Sequence, residues 1–388
     1  MSSKATPSTR PHAPDLEMRK LFALIAKVRT IRETLSDMVR NVSNSYLRFI
    51  VSTATVLTWK LATIAYLFFR LSGKWLQFNP LSVLIGWDTY SYVDIAESGY
   101  HNLRLFAYFP VYPSIIRVFY LATHDPVLSA SLPAFVFGFA FVPLFQMAAE
   151  RYMDRQSAIK CAIVVAFFPV VFVFTSLAYA DSILLFLSLQ FWIEYKALRF
   201  GRASFVLAVA SLTKPLGAVL GVPLLIEIVA KRQFKSIAYL ALPFFSMMAW
   251  LYYGYYSTGD WFVFRRAELS YWSQADWLRS SLLPFLKGQA FNFQSVSFFI
   301  IIIVGFLVYL TFQEDWRLGV FSLGTYASII LFAGPPELSY LRYFSFIFPI
   351  WFLGRRVRSW SLLLIYCIFM SLSSMMLWYQ FATGVFVG

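Results

Sequence analysis

The chain has 388 residues, of which 59% are hydrophobic, 20% aromatic and only 13% charged, and its mean hydropathy of +0.64 excludes an ordinary soluble domain. Its net charge of +14 does not point to nucleic acid, because basic residues in a polytopic membrane protein collect in cytoplasmic loops. Two cysteines, Cys161 and Cys367, both inside apolar runs, offer neither a disulfide framework nor a metal site and read as helix-packing residues.

Residues 1–14 are rich in Ser, Thr and Pro and read as a disordered tail. From residue 16 to 44, Leu21, Leu24, Val28, Ile31, Leu35, Met38 and Val42 recur at helical spacing among Arg and Lys. That pattern predicts an amphipathic helix on an anionic cytoplasmic leaflet, with a soluble partner-binding helix as the alternative. The first 46 residues lack the short apolar core of a cleavable signal peptide, which leaves the N-terminus in the cytoplasm. The expected organisation is therefore a 1–46 cytoplasmic tail with an interfacial helix, followed by a single transmembrane domain over 47–388.

A bilayer core needs about 20 apolar residues per helix. Such runs predict spanning helices at 48–70, 127–149, 161–178 and 181–198, with Lys60 facing the protein interior rather than lipid. Residues 203–230 read as a pair broken at "TKPLG", so that Lys214 lies near the outer face and Lys231, Arg232 and Lys235 return inside. Further helices are expected at 236–256, 294–312, 316–333, 338–354 and 359–380. The fold class is an all-α polytopic membrane protein with about 9 to 11 spanning helices, most of its 33 Lys and Arg on the cytoplasmic side. Two long outer loops, 71–126 and 257–293, are rich in Trp, Tyr and Phe and suit short interfacial helices. The second, with Trp261, Tyr271, Trp272 and Trp277, reads as an interfacial belt or a lid over substrate.

The first outer loop carries "GWDTYSYVDIAESGY". On its residues alone Asp88 is either an N-cap or a reactive carboxylate, Gly99 is a helix stop, and Asp94 and Glu97 fall on a solvated side away from Tyr92 and Ile95. Lys214 and Arg342 read first as interfacial anchors, and Asp181 as a cap or a complement to its helix dipole. His101 and His124 are isolated and have no ligand spacing.

In order along the chain, "WDTYSYVDIAESGY", "FAYFPVYPSIIR", "SLAYADSILLFLSL", "ASLTKPLG", "GDWFVFRRAELSYW" and "LSYLRYFSFIFPIW" resemble the motifs of the PIG-V family. These are mannosyltransferases of glycosylphosphatidylinositol anchors, together with their prokaryotic relatives. The resemblance covers roughly residues 80–354. The chain departs from the family pattern at Ser91, at Asp181 in place of glutamate, at Lys214 in place of arginine, and in its basic extension 1–46.

The resemblance implies an inverting GT-C glycosyltransferase that moves a sugar, mannose by resemblance, from a polyprenyl or dolichyl phosphate to a lipid-linked or glycan acceptor on the non-cytoplasmic face. It implies Asp88 as general base and Lys214 and Arg342 as phosphate-binding cations, with Arg265 and Arg266 in reserve. Trp87, Tyr92, Tyr108, Tyr112, Tyr179 and Asp181 would support or contact substrate. The leaving phosphate needs no general acid, no cofactor is required, and a divalent metal stays compatible with the chemistry. Expected partners are the lipid-phosphate sugar, the acceptor and membrane lipids, with no nucleic acid and no identified protein partner. Compact length and outer loops free of glycosylation sequons favour a prokaryotic cytoplasmic membrane over endoplasmic reticulum. The rival functions are a transporter or lipid flippase, and a non-catalytic scaffold of the same fold.

Overall fold

The computed structural model describes residues 49–50, 52–71, 83–271, 293–332, 339–357 and 359–385. The expected N-terminal tail and amphipathic helix, and Trp272 and Trp277 of the second loop, lie outside the described residues, as does the side chain of Tyr271. All regular structure among the described residues is helical.

Helix α1 (Ser52–Leu71) starts where Ser52 donates to Gln146 and ends in a cluster with Val83, Phe174, Tyr179, Trp378 and Phe381. Lys60 is buried inside the protein, as its charge demands, and donates to Thr175 Oγ1 at 2.6 Å between the rings of Phe139 and Phe172. The first long loop holds three short elements: α2 (Asp88–Ser98), a 3₁₀ segment (Leu103–Ala107) and α3 (Val111–Thr123). Gly99, at φ +76°, stops α2, since glycine adopts that conformation without steric cost. Asp125 then caps α4 (Pro126–Ala149) by accepting from the Leu128 N–H, with Pro126 in the first turn, where its missing N–H goes unneeded.

The run expected as one helix over 161–178 is divided into α5 (Arg155–Phe167) and α6 (Pro169–Phe174). Pro169 has no N–H to give and ends the preceding helix. The chain from α6 crosses α4 at Gly138, where an added Cβ would lie 1.8 Å from the Thr175 carbonyl oxygen. Helix α7 (Asp181–Lys196) and α8 (Phe200–Ser211) then run antiparallel, and α7 packs on α4 as well. The expected break follows: Lys214 is extended, Pro215–Leu220 is 3₁₀, and α9 (Gly221–Ala230) returns.

A 3₁₀ turn (Phe234–Leu240) leads into α10 (Ala241–Thr258), and α11 (Val263–Tyr271) packs against the 103–107 segment. A hairpin of α12 (Phe293–Phe312) and α13 (Trp316–Phe332) precedes α14 (Ser339–Phe344). The expected helix over 338–354 stops at Phe344, and Pro349 lies in the 3₁₀ segment Phe348–Arg356 that follows. Helix α15 (Trp360–Ala382) closes the chain, its Trp378 donating to the Val83 carbonyl at 2.7 Å.

Four described helices are long and apolar enough to cross a membrane: Ser52–Leu71, Pro126–Ala149, Phe234–Thr258 and Trp360–Ala382. Shorter apolar helices lie between them at Val111–Thr123, Phe200–Ser211, Pro215–Ala230, Phe299–Phe312 and Trp316–Leu331.

The helices gather charge at two ends. At one end, Asp181 opens α7 and meets Lys214 and Arg342. At the other, Lys196 at the end of α7 pairs with Asp315 at 2.9 Å, Arg317 grips Glu227 through two nitrogens at 2.7 and 2.9 Å, and Arg355 pairs with Glu314 at 2.7 Å.

Candidate active site

The site forms where the N-termini of α2 and α7 meet the C-terminal turn of α14. Its scaffold is a short backbone weave. Ala178 N–H donates to Leu84 O at 2.9 Å, Tyr179 Oη donates to Gly86 O at 3.3 Å, and Thr89 Oγ1 donates to Ala178 O at 3.0 Å. These bonds tie the turn before α2 to the turn before α7. Trp87 sits at φ +49°, a conformation that strains any non-glycine residue, with its indole exposed.

Asp88 is the first residue of α2 and not its cap, since the cap position is Trp87, whose side chain makes no cap bond, and the described partners of the Asp88 carboxylate are Tyr108 and Arg342. The cap alternative therefore falls. Tyr108 Oη donates to Asp88 Oδ1 at 3.1 Å, and Arg342 Nη2 stands 3.5 Å from Oδ2. The Asp88 side chain keeps 25% of its surface exposed.

Asp181 is likewise no cap: Ala180 holds that position without a side-chain bond. Its carboxylate, 2% exposed, accepts Arg342 Nε at 2.7 Å on Oδ1 and Arg342 Nη2 at 2.9 Å on Oδ2. Lys214 Nζ adds a third bond to Oδ2 at 2.9 Å. One buried carboxylate thus neutralises part of two cations, which reach it across 33 and 161 positions of sequence. The Arg342 guanidinium lies 4.5 Å from the Phe174 ring and 4.6 Å from the Tyr179 ring, while Lys214 faces Phe346 at 5.3 Å and Tyr343 at 5.8 Å.

Tyr92 stacks edge-on against Tyr108 and Tyr112 at 4.9 and 4.8 Å, and Tyr112 Oη donates to Ala130 O at 2.7 Å. Burial first and the Asp88 charge second hold the Tyr92 and Tyr108 phenols well above their ordinary pKa, so both keep their protons and Tyr108 remains a donor to Asp88.

Most of the expected site residues therefore come together: Asp88, Asp181, Lys214, Arg342, Tyr92, Tyr108, Tyr112 and Tyr179 form one connected cluster. Arg265 and Arg266 have their described ion pairs within their own segment, to Glu268 at 3.4 Å and Asp260 at 3.2 Å. Asp94 is on the solvated side and pairs with His101 at 3.6 Å, while Glu97 is exposed. Sequence reasoning missed Phe174 and Phe346, whose rings flank the cations; their only signal was an aromatic residue close to each motif. Among the described residues no group of three His, Cys, Asp or Glu side chains is arranged to hold a metal ion.

No protein-family model matches this chain, and no curated protein sequence matches it. Solved structures do. The crystal structure of ArnT from Cupriavidus metallidurans in the apo state aligns with a TM-score of 0.50 at 16% identity, and the same protein bound to undecaprenyl phosphate aligns with a TM-score of 0.51 at 16% identity. The fold is of the GT-C type. Each alignment covers 81% of this chain and 62% of ArnT, so the chain spans less than two thirds of that protein's length. Within this GT-C fold, the charged cluster sits on the short, broken elements between the long helices.

Proposed function

We propose that the chain is an inverting glycosyltransferase that moves a sugar from a polyprenyl or dolichyl phosphate to a lipid-linked or glycan acceptor on the non-cytoplasmic face of the membrane. The sugar is read as mannose from the motif resemblance to the PIG-V family. The alignment with an ArnT structure bound to undecaprenyl phosphate supports a polyprenyl phosphate as the carrier.

One observation carries the reading: of the two carboxylates in the cluster, Asp181 is sealed and fully engaged with cations, whereas Asp88 is a quarter exposed and keeps access to a substrate. The acceptor oxygen attacks the anomeric carbon, its proton passes to Asp88, and the bond from that carbon to the phosphate oxygen breaks with its electron pair leaving on the phosphate. Lys214, with 13% of its side chain exposed, is the cation that the phosphate meets. Arg342 lies behind it, fixed by Asp181, and adds positive charge close to the phosphate without moving. Tyr108 orients Asp88, and the exposed Trp87 indole at the mouth offers a face to a sugar ring.

The test is transfer by the purified protein from a panel of radiolabelled polyprenyl-phosphate sugars, with the product identified. Replacing Asp88→Asn removes the proton acceptor while preserving shape, and is expected to lower the transfer rate by about 10²–10⁴-fold. Unchanged transfer in that variant refutes the general-base role, and no transfer by the wild type from any such donor refutes the enzyme reading.

A further inference from the structure

At the end of the bundle away from Asp88, α7 and α8 enclose an open groove of about 410 Å³ lined by Gln190, Glu194, Gly201, Arg202, Phe205 and Val206. Glu194 stands in the last turn of α7 with only 8% of its side chain exposed. Its Oε1 accepts from Gln190 Nε2 at 3.0 Å, but its buried Oε2 accepts no hydrogen bond among the described residues. The cation beside that oxygen, Arg199 Nη1, is 3.6 Å away on a side chain 59% exposed, too far to donate. A buried carboxylate oxygen without a donor is an unfavourable arrangement that a ligand N–H would relieve. Across the groove, Arg202 is exposed and makes no ion pair among the described residues.

The groove also has apolar lining. Phe205 and Val206 line it from α8, with Phe205 exposed, and Leu198, in the turn that joins the two helices, is exposed as well. Exposed apolar side chains of this size beside a groove suit contact with lipid rather than with water. The groove thus presents a negative charge lacking a donor, two adjustable positive charges and a hydrophobic border.

We propose that this groove binds the headgroup of a phospholipid bearing a primary ammonium. The ammonium takes the place of Arg199 over Glu194 Oε2, the freed Arg199 joins Arg202 on the phosphate, and the glycerol and the start of the acyl chains lie against Phe205 and Leu198. The charge pattern matches a zwitterionic headgroup, and a quaternary ammonium, which has no N–H, cannot satisfy Oε2. The site is separate from the Asp88 cluster and stands or falls independently of the transferase reading.

Native mass spectrometry of the full chain, released from mild detergent after titration with phosphatidylethanolamine, phosphatidylcholine, phosphatidylglycerol or soluble phosphoethanolamine, tests it. Phosphatidylethanolamine is expected to be retained over the other two lipids by a factor of about ten, the worth of one charge-assisted hydrogen bond. Glu194→Gln is expected to abolish that preference, and Arg202→Ala to weaken phosphatidylethanolamine and phosphatidylglycerol alike. Equal retention of phosphatidylethanolamine and phosphatidylcholine by the wild type, or a preference that survives Glu194→Gln, overturns the proposal. Binding of soluble phosphoethanolamine as tight as that of the lipid overturns its lipid half. Should Glu194→Gln fail to fold, the wild-type lipid order and the Arg202→Ala arm decide the question.

Discussion

Asp88 and Asp181 are the same residue type at the same position of a helix, and their surroundings give them different work. Asp181 is 2% exposed and accepts three hydrogen bonds from Arg342 and Lys214, whereas Asp88 is 25% exposed, with Tyr108 on one oxygen and Arg342 at the longer distance of 3.5 Å on the other. Removing one partner of a buried ion group strands the rest, at a cost of about 3–5 kcal/mol, so Asp181→Asn is expected to lower the thermal unfolding midpoint in detergent far more than Asp88→Asn does. Adding Lys214→Met to Asp181→Asn withdraws one stranded cation and is expected to recover part of the loss. Equal midpoints for the two single variants would show that Asp181 is not the counter-ion holding the cations. Motif order made all four charged residues legible in the sequence. The role of Asp181 was not, because a helix-start aspartate reads locally as a dipole complement, while its partners lie 33 and 161 positions away and only tertiary packing brings them close.

The helices near the site are short because proline interrupts them, and the interruptions supply its walls. Pro169 opens the six-residue α6, which brings Phe174 onto Arg342, and Pro215 follows the extended Lys214 directly. Gly217 makes the second break possible: an added Cβ would lie 2.1 Å from the Ala210 carbonyl oxygen and 2.8 Å from the Ser211 nitrogen, and the Gly217 N–H bonds Lys214 O at 2.9 Å. Gly217→Ala must therefore push the break away from α8, an overpacking cost of about 1–3 kcal/mol, and move Lys214 with it. It is expected to lower both unfolding midpoint and donor binding, whereas Gly201→Ala, where the added Cβ meets nothing within 4 Å, leaves the midpoint near the wild type. Similar midpoints for the two variants would deny the close approach its structural role. Long apolar runs made α4, α12, α13 and α15 legible to within a few residues, and "TKPLG" revealed its break because proline and glycine adjoin a charge. The expected helices at 161–178 and 338–354 failed for a physical reason: apolar content measures how well a segment suits the membrane, not whether its backbone can continue as a helix past Pro169 or Pro349.

Across the whole molecule, α7 joins two charged ends about 24 Å apart, at 1.5 Å per residue, with Asp181 in the candidate active site and Lys196 in the ionic network of Asp315, Arg317 and Glu227. Such a separation approaches the thickness of a bilayer core. The connections follow it consistently: α1 begins beside Gln146 and ends among Tyr179 and Phe381, α8 returns from Phe200 towards Lys214, and α9 carries the chain back to Lys231. Basic loops at the network end, including Lys231, Arg232, Lys235, Arg355 and Arg356, predict that this end faces the cytoplasm and that Asp88 faces outward. Single cysteines test the orientation in a background from which Cys161 and Cys367 have been removed. Glu97 is exposed on α2, and Lys235 is exposed beside the other end. A membrane-impermeant maleimide added to intact cells is expected to label Glu97→Cys, and to label Lys235→Cys only after the membrane is permeabilised. The reverse pattern would put the carboxylate on the cytoplasmic face, where an outward-facing acceptor cannot reach it, and would overturn the proposed direction of transfer along with the orientation.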